Sequence, residues 1–93
     1  MEMLDKLMEH YSEALDELMD AQKYLKLAMR IENAEDKGMY KQLAKQELEH
    51  EAMIEKSAER LLSGNEEMLH KVWEHLKKHL HDWKHDIEHR LEG

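Results

Sequence analysis

Glu47-Leu48-Glu49-His50 sets a carboxylate and an imidazole three residues apart. On a helix that spacing puts both groups on one face, nearly one turn apart. A carboxylate oxygen and a neutral imidazole nitrogen are both donors for divalent first-row cations. The apolar neighbours Tyr40, Leu43 and Ala44 precede the pair on this face, and Ile54, Ala58 and Leu61 follow it. The pair is therefore expected on a buried stripe. An ionised carboxylate there is costly unless a cation or a hydrogen-bond partner compensates it, and a metal ion would do so.

Three helices must position these groups. Leu4, Met8, Tyr11, Leu15, Leu18, Gln22, Leu25 and Met29 recur at alternating spacings of four and three. Leu7, Ala14, Ala21 and Ala28 widen that stripe, which predicts one long amphipathic helix over residues 1–32. Asn33-Ala34-Glu35-Asp36 reads as an N-cap and an acidic first turn, opening a second helix over 34–62, with Gly38 weakening its first turns. Ser63-Gly64-Asn65 is a break in which Gly64 takes the left-handed position and Asn65 caps the next helix. Leu69, Trp73, Leu76, Leu80, Trp83, Ile87 and Leu91 define a third helix over 66–92. Two short turns imply helices that fold back on each other. The expectation is a single all-α domain over 1–93, a long antiparallel two-helix hairpin plus a third helix. That helix would either cap its own hairpin or cross to a neighbour. The methionines are expected as core filler.

Composition narrows the function classes. The chain has 93 residues, no Pro, Phe or Cys, 39% charged residues and 5% aromatics. So short a chain with so few aromatics makes a marginal core alone, which suggests completion by a second copy. A formal net charge of -8 argues against nucleic acid or an anionic membrane as partner. Disulfides and cysteine-ligated clusters are excluded. Met1-Glu2-Met3-Leu4-Asp5 lacks the features of a signal peptide, and no apolar run reaches spanning length, so a cytoplasmic protein is expected.

Glu17 completes the candidate group. With the first turn centred near Asn33, Glu17 lies about as far before it as Glu47 lies after it, at ~1.5 Å rise per residue. The two then stand at one height in an antiparallel pair. A turn centred at Gly38 would separate them by several ångströms. Glu17 sits near the edge of the first apolar face, beside Ala14 and Ala21, whose small side chains leave room. Two copies related by a two-fold axis would supply four carboxylates and two imidazoles, the ligand set of a di-iron bundle.

The order Glu17, Tyr24, turn, Glu47-x-x-His50 resembles the ferritin-like superfamily, most closely rubrerythrin-type and encapsulated-ferritin half-bundles, over about His10 to Leu62. The resemblance implies a four-helix bundle completed by homodimerisation, as a dimer or a ring of dimers. It implies two irons per dimer interface and oxidation of Fe(II) by oxygen or peroxide, for storage or detoxification. Glu17, Glu47 and His50 would be the ligands and the catalytic groups, with Tyr24 nearby. Zn, Mn or another divalent metal would suit the same donors. The chain departs from the family in lacking a second Glu-x-x-His hairpin and rubredoxin-like cysteines. An encapsulin shell is a further implied partner, although no targeting tail is visible after Leu91.

Other groups have plainer readings. Glu51, near the seam, is a second-choice metal ligand or a partner for Lys45 or Lys56. Glu67-Met68-Leu69-His70 repeats the motif but points away from its helix's apolar stripe, as do Asp86 and His89 for the most part. His10 lies two turns before Glu17 and is expected at an interface. Tyr24 and Tyr40 should meet across the hairpin. His75 and His79, flanked by Asp82 and Asp86, and His81, His85 and His89 have the spacing of metal clips, although exposed helical histidines arise readily in charged helices. Trp73 and Trp83 are packing anchors. The rival to a metal enzyme is a metal-free helical oligomer or partner-docking module, in which Glu47 and His50 fix helix register.

Overall fold

A computed structural model describes residues 2–64 and 67–92, and all its regular structure is helical: α1 (Glu2–Arg30), α2 (Ala34–Leu62) and α3 (Glu67–Glu92). The molecule is a rod of 51 × 17 × 16 Å. α2 has the expected bounds, and α1 stops just short of Ile31. The cap expected at Asn65 lies outside the described residues.

The turn between α1 and α2 occupies three residues and ends on a cap. Asn33 has an extended backbone, and its side-chain oxygen accepts the Asp36 N–H at 3.1 Å. Its carbonyl accepts the Lys37 N–H at 2.9 Å, and Glu35 and Asp36 face the positive end of the helix dipole. These contacts start α2 at Ala34, ahead of Gly38, which the helix simply passes through. α2 ends at Ser63, with Gly64 at φ +78°.

α1 and α2 pack in opposite directions. His10 meets Ser57, Glu17 meets His50, and Tyr24 stacks on Tyr40, so contacts descend one helix as they climb the other. Alanine makes this seam. Ala14, Ala21, Ala28, Ala44 and Ala58 are wholly buried, among Leu7, Leu18, Leu25, Leu48 and Leu62. Side chains that end at Cβ let two backbones approach closely. α3 lies along one side of the pair, burying Leu69, Trp73, Leu80, Ile87 and Leu91. It thus caps its own hairpin. The Trp83 indole N–H donates to Gln22 Oε1 at 3.0 Å, tying α3 to α1.

Two expectations change. The buried line of α1 runs through Leu7, Ala14, Ala21 and Ala28, and Met8 and Met29, on the adjacent line, are 45% and 67% exposed. Met19, Met39, Met53 and Met68 are exposed as well, so these methionines are not core filler. They sit off the stripe that leucine and alanine occupy.

The two glycines should respond oppositely to alanine. A Cβ at Gly38 meets nothing within 4 Å and extends a regular helix, so Gly38→Ala should stabilise by about 0.5–1 kcal/mol. Gly64 also has space, but its left-handed backbone disfavours any Cβ, so Gly64→Ala should cost about 1 kcal/mol. Urea unfolding of the two variants measures both.

Candidate metal centre

On the side of the α1–α2 pair away from α3, Glu17, Glu47 and His50 converge. His50 Nδ1 lies 3.6 Å from Glu17 Oε2 and 3.6 Å from Glu47 Oε1. One donor atom from each residue falls within 4.8 Å of the other two. The antiparallel register places Glu17 level with Glu47, and the helix repeat then brings His50 to the same point. Tyr24 and Tyr40 stack about two helical turns along the seam from the group, with ring centroids 6.3 Å apart. Further along the same side, His10 Nε2 lies 3.1 Å from Ser57 Oγ while Nδ1 lies 2.8 Å from the Lys6 carbonyl. A hydrogen bond to that carbonyl makes Nδ1 the protonated nitrogen, so Nε2 accepts from the serine hydroxyl.

The pair occupies the rim of the buried face, not its middle. The side chains of Glu17 and Glu47 are 26% and 19% exposed, and His50 is 55% exposed. Even so, Glu17 Oε2 is shut off from solvent with no hydrogen-bond partner. The Glu47 carboxyl is held above its ordinary range. A hydrogen bond with Glu17 is the largest cause, followed by burial and the repulsion of the Glu17 charge, while His50 pulls the other way. Two carboxylates forced together with one enclosed oxygen form a site that gains from a cation.

The middle of the α2 seam holds different acids. Ala44, Leu48, Glu51, Glu55, Ala58 and Leu62 form the buried line. Glu51 is completely enclosed, and its Oε1 lies 3.0 Å from Lys84 Nζ, on α3. Glu55 Oε1 lies 2.7 Å from His81 Nε2, and its Oε2 is 4.0 Å from Lys84 Nζ. Lys77 adds a pair with Glu59 at 2.8 Å. Among the described residues, the interhelical ion pairs of α3 all reach α2, while the Trp83–Gln22 hydrogen bond ties it to α1. Burial, then a hydrogen bond with Glu55, pushes the Glu51 carboxyl up to about 8, against the pull of Lys84. Burial also works to raise Glu55, but the hydrogen bonds from Glu51 and His81 outweigh it and hold it low. The two acids titrate as a coupled pair, in which burial favours the proton on Glu51 and His81 favours the charge on Glu55.

Glu51 is thus not brought together with Glu17, Glu47 and His50. Its cationic neighbour is Lys84, from a different helix, in place of the expected Lys45 or Lys56. Glu55, His81 and Lys84 went unrecognised in the sequence, although the four-three spacing from Ala44 to Leu62 passes through both acids. Glu67 and His70 are exposed, as are Asp86 and His89. His75 and His79 are exposed neighbours, with ring centroids 5.2 Å apart.

This cluster has measurable consequences. Glu51→Gln should change stability by less than about 1 kcal/mol below pH 4.5, where the amide replaces a carboxyl that carries a proton in the folded and the unfolded chain alike. Lys84→Met should cost about 3 kcal/mol, since it removes the cation that meets the enclosed Glu51 and leaves the two acids with His81 alone. A carboxyl raised in the folded state favours folding while protonated. Its contribution is therefore complete below the ordinary 4.5 and is lost as pH climbs to about 8. The stability difference between the parent chain and Glu51→Gln should shift in favour of Gln across that window, and chemical denaturation at a series of pH values reads it.

No protein-family model matches the chain, and no curated protein or solved structure matches it.

Proposed function

We propose that the chain is a di-iron carboxylate protein of ferritin-like architecture, in which two copies pair across the rim bearing Glu17, Glu47 and His50 and oxidise Fe(II). The observation that carries this reading is the convergence of those three donors, one from α1 and two from α2, within 4.8 Å.

The donor set fits the metal. Two carboxylates and one imidazole suit Fe(II) and also accept Mn or Zn. The enclosed Glu17 oxygen, which accepts no hydrogen bond, and the raised Glu47 carboxyl suit a place where a cation replaces a proton. Three donors leave several coordination positions open. A second copy docked on the same rim supplies three more, and closed two-fold pairing is the commonest association. Four helices, two from each chain, then enclose the site.

Iron is the substrate in this reading. Two Fe(II) ions give up one electron each to dioxygen, which takes two protons and leaves as hydrogen peroxide. The protein's part is electrostatic and geometric. The carboxylates of Glu17 and Glu47 favour the more highly charged product, and His50 supplies a neutral nitrogen donor. Tyr24 and Tyr40 stack on each other about two helical turns from these donors. The half-buried Ile54, two turns after Glu47 on the same line of α2, would pack against the second copy.

Anaerobic addition of Fe(II) should titrate to one ion per chain, raise the sedimenting mass from one chain to two, and give ferric absorbance when air is admitted. Metal at 100 times its dissociation constant should add about 2.7 kcal/mol to stability. Glu47→Ala should abolish uptake, whereas Glu51→Gln should not. Undiminished uptake in a Glu47→Ala, His50→Ala double variant would overturn the assignment. A parent chain that self-associates but takes up no iron would favour the metal-free helical module.

A further inference from the structure

We propose that the groove between α1 and α3 binds a small aromatic anion, a flat apolar ring system carrying a phosphate, sulfonate or carboxylate. The groove lies on the α3 side of the molecule, away from Glu17, Glu47 and His50, and the inference does not rest on the metal reading.

The groove encloses about 540 Å³, within the range of roughly 300–1,000 Å³ typical of small-molecule sites. Its walls divide chemically. Met19, Leu27 and the half-buried Trp83 are apolar, and Lys23, Lys26 and Arg30 are cationic. Trp83 is fixed, because its N–H is committed to Gln22 Oε1 at 3.0 Å. The indole therefore offers its ring, and not its donor, to an occupant. A flat ring system stacks on such a surface while its anionic end meets the cations.

The acid-free half of α1 lies along this groove. From Glu2 to Asp20, α1 carries seven acids against Lys6, whereas from Ala21 to Arg30 it carries no acid and three cations. Lys23, Lys26 and Arg30 follow a three-four spacing, so they share one stripe. Five cations elsewhere are paired: Lys6 with Glu2, Lys71 with Glu67, Lys77 with Glu59, Lys84 with Glu51 and Arg90 with Asp86. None of the three groove cations forms an ion pair among the described residues. The helix dipole accounts for Arg30, in the last turn, but its influence fades before Lys23, about two turns from the end. A concentration of unpaired positive charge beside an anchored indole, on a chain of net charge -8, fits an anionic ligand with an apolar body.

The test uses 8-anilinonaphthalene-1-sulfonate, which has the required chemistry and a fluorescence that rises on binding. Titrated into the full chain at low salt, it should saturate at one molecule per chain and accept excitation energy from tryptophan. Affinity should fall by about tenfold or more in Lys23→Gln, Lys26→Gln, Arg30→Gln, and comparably at high salt. Trp83→Leu should weaken binding, while Glu47→Ala should leave it intact. Circular dichroism of each variant verifies the fold, and the single variant Lys26→Gln should give a smaller loss if the triple variant does not fold. The neutral analogue N-phenyl-1-naphthylamine should bind poorly. Equal binding of that analogue, or affinity unchanged by removal of the groove charges, would refute the proposal. Weak sulfonate binding combined with tight binding of an acidic peptide would also refute it, in favour of a protein partner.

Discussion

The closeness of α1 to α2 is the constraint on which the rest of the structure depends. Five alanines, wholly buried, allow the two backbones to lie side by side without large side chains holding them apart. The three-residue turn capped by Asn33 then leaves little freedom to slide. A register shift by one helical turn would move every cross-helix pair by about 5.4 Å. Glu17 would miss His50, Tyr24 would miss Tyr40, and His10 would miss Ser57. The rim group is thus a product of small residues and a short turn rather than of any attraction among its own members, since two carboxylates repel.

The second constraint is the pair of acids within the seam. Glu51 and Glu55 interrupt an otherwise apolar line and depend on α3 for compensation. Lys84 and His81 reach them from one side, and burial favours a proton on Glu51. This arrangement fixes the rotation and height of α3 more narrowly than leucine packing would. Apolar surfaces tolerate sliding, whereas an enclosed ion pair does not. Whether such clusters increase net stability is secondary here to their role in selecting one docking of α3 among several.

Much of this was legible in the residues. The four-three spacing defined three helices, the Asn33 cap defined the start of α2, and counting from that cap placed Glu17 level with Glu47. What spacing alone did not settle was helix rotation. Adjacent lines on a broad apolar face differ by about 40°, because four residues overshoot a full turn of 3.6. Reading Tyr40, Glu47 and Ile54 as the centre of α2 moved Glu47 inward and left Glu51 and Glu55 at the margin. In the folded chain those roles are exchanged, because Leu48 and Leu62 outweigh the half-buried residues on the neighbouring line. The same small rotation turned Met8 and Met29 outward on α1. The partner of Glu51 was out of reach for another reason, since Lys84 is distant in sequence and only the docking of α3 brings it near.

The outward methionines have a chemical consequence of their own. Thioethers react readily with peroxide and other mild oxidants, and the resulting sulfoxide is more polar than its parent. In a packed interior that change would disrupt the fold. On Met8, Met19, Met29, Met39, Met53 and Met68 it adds an oxygen where water already reaches. The leucines and alanines that hold the helices together have no comparable reactivity, so oxidative wear falls on groups whose modification the architecture can absorb.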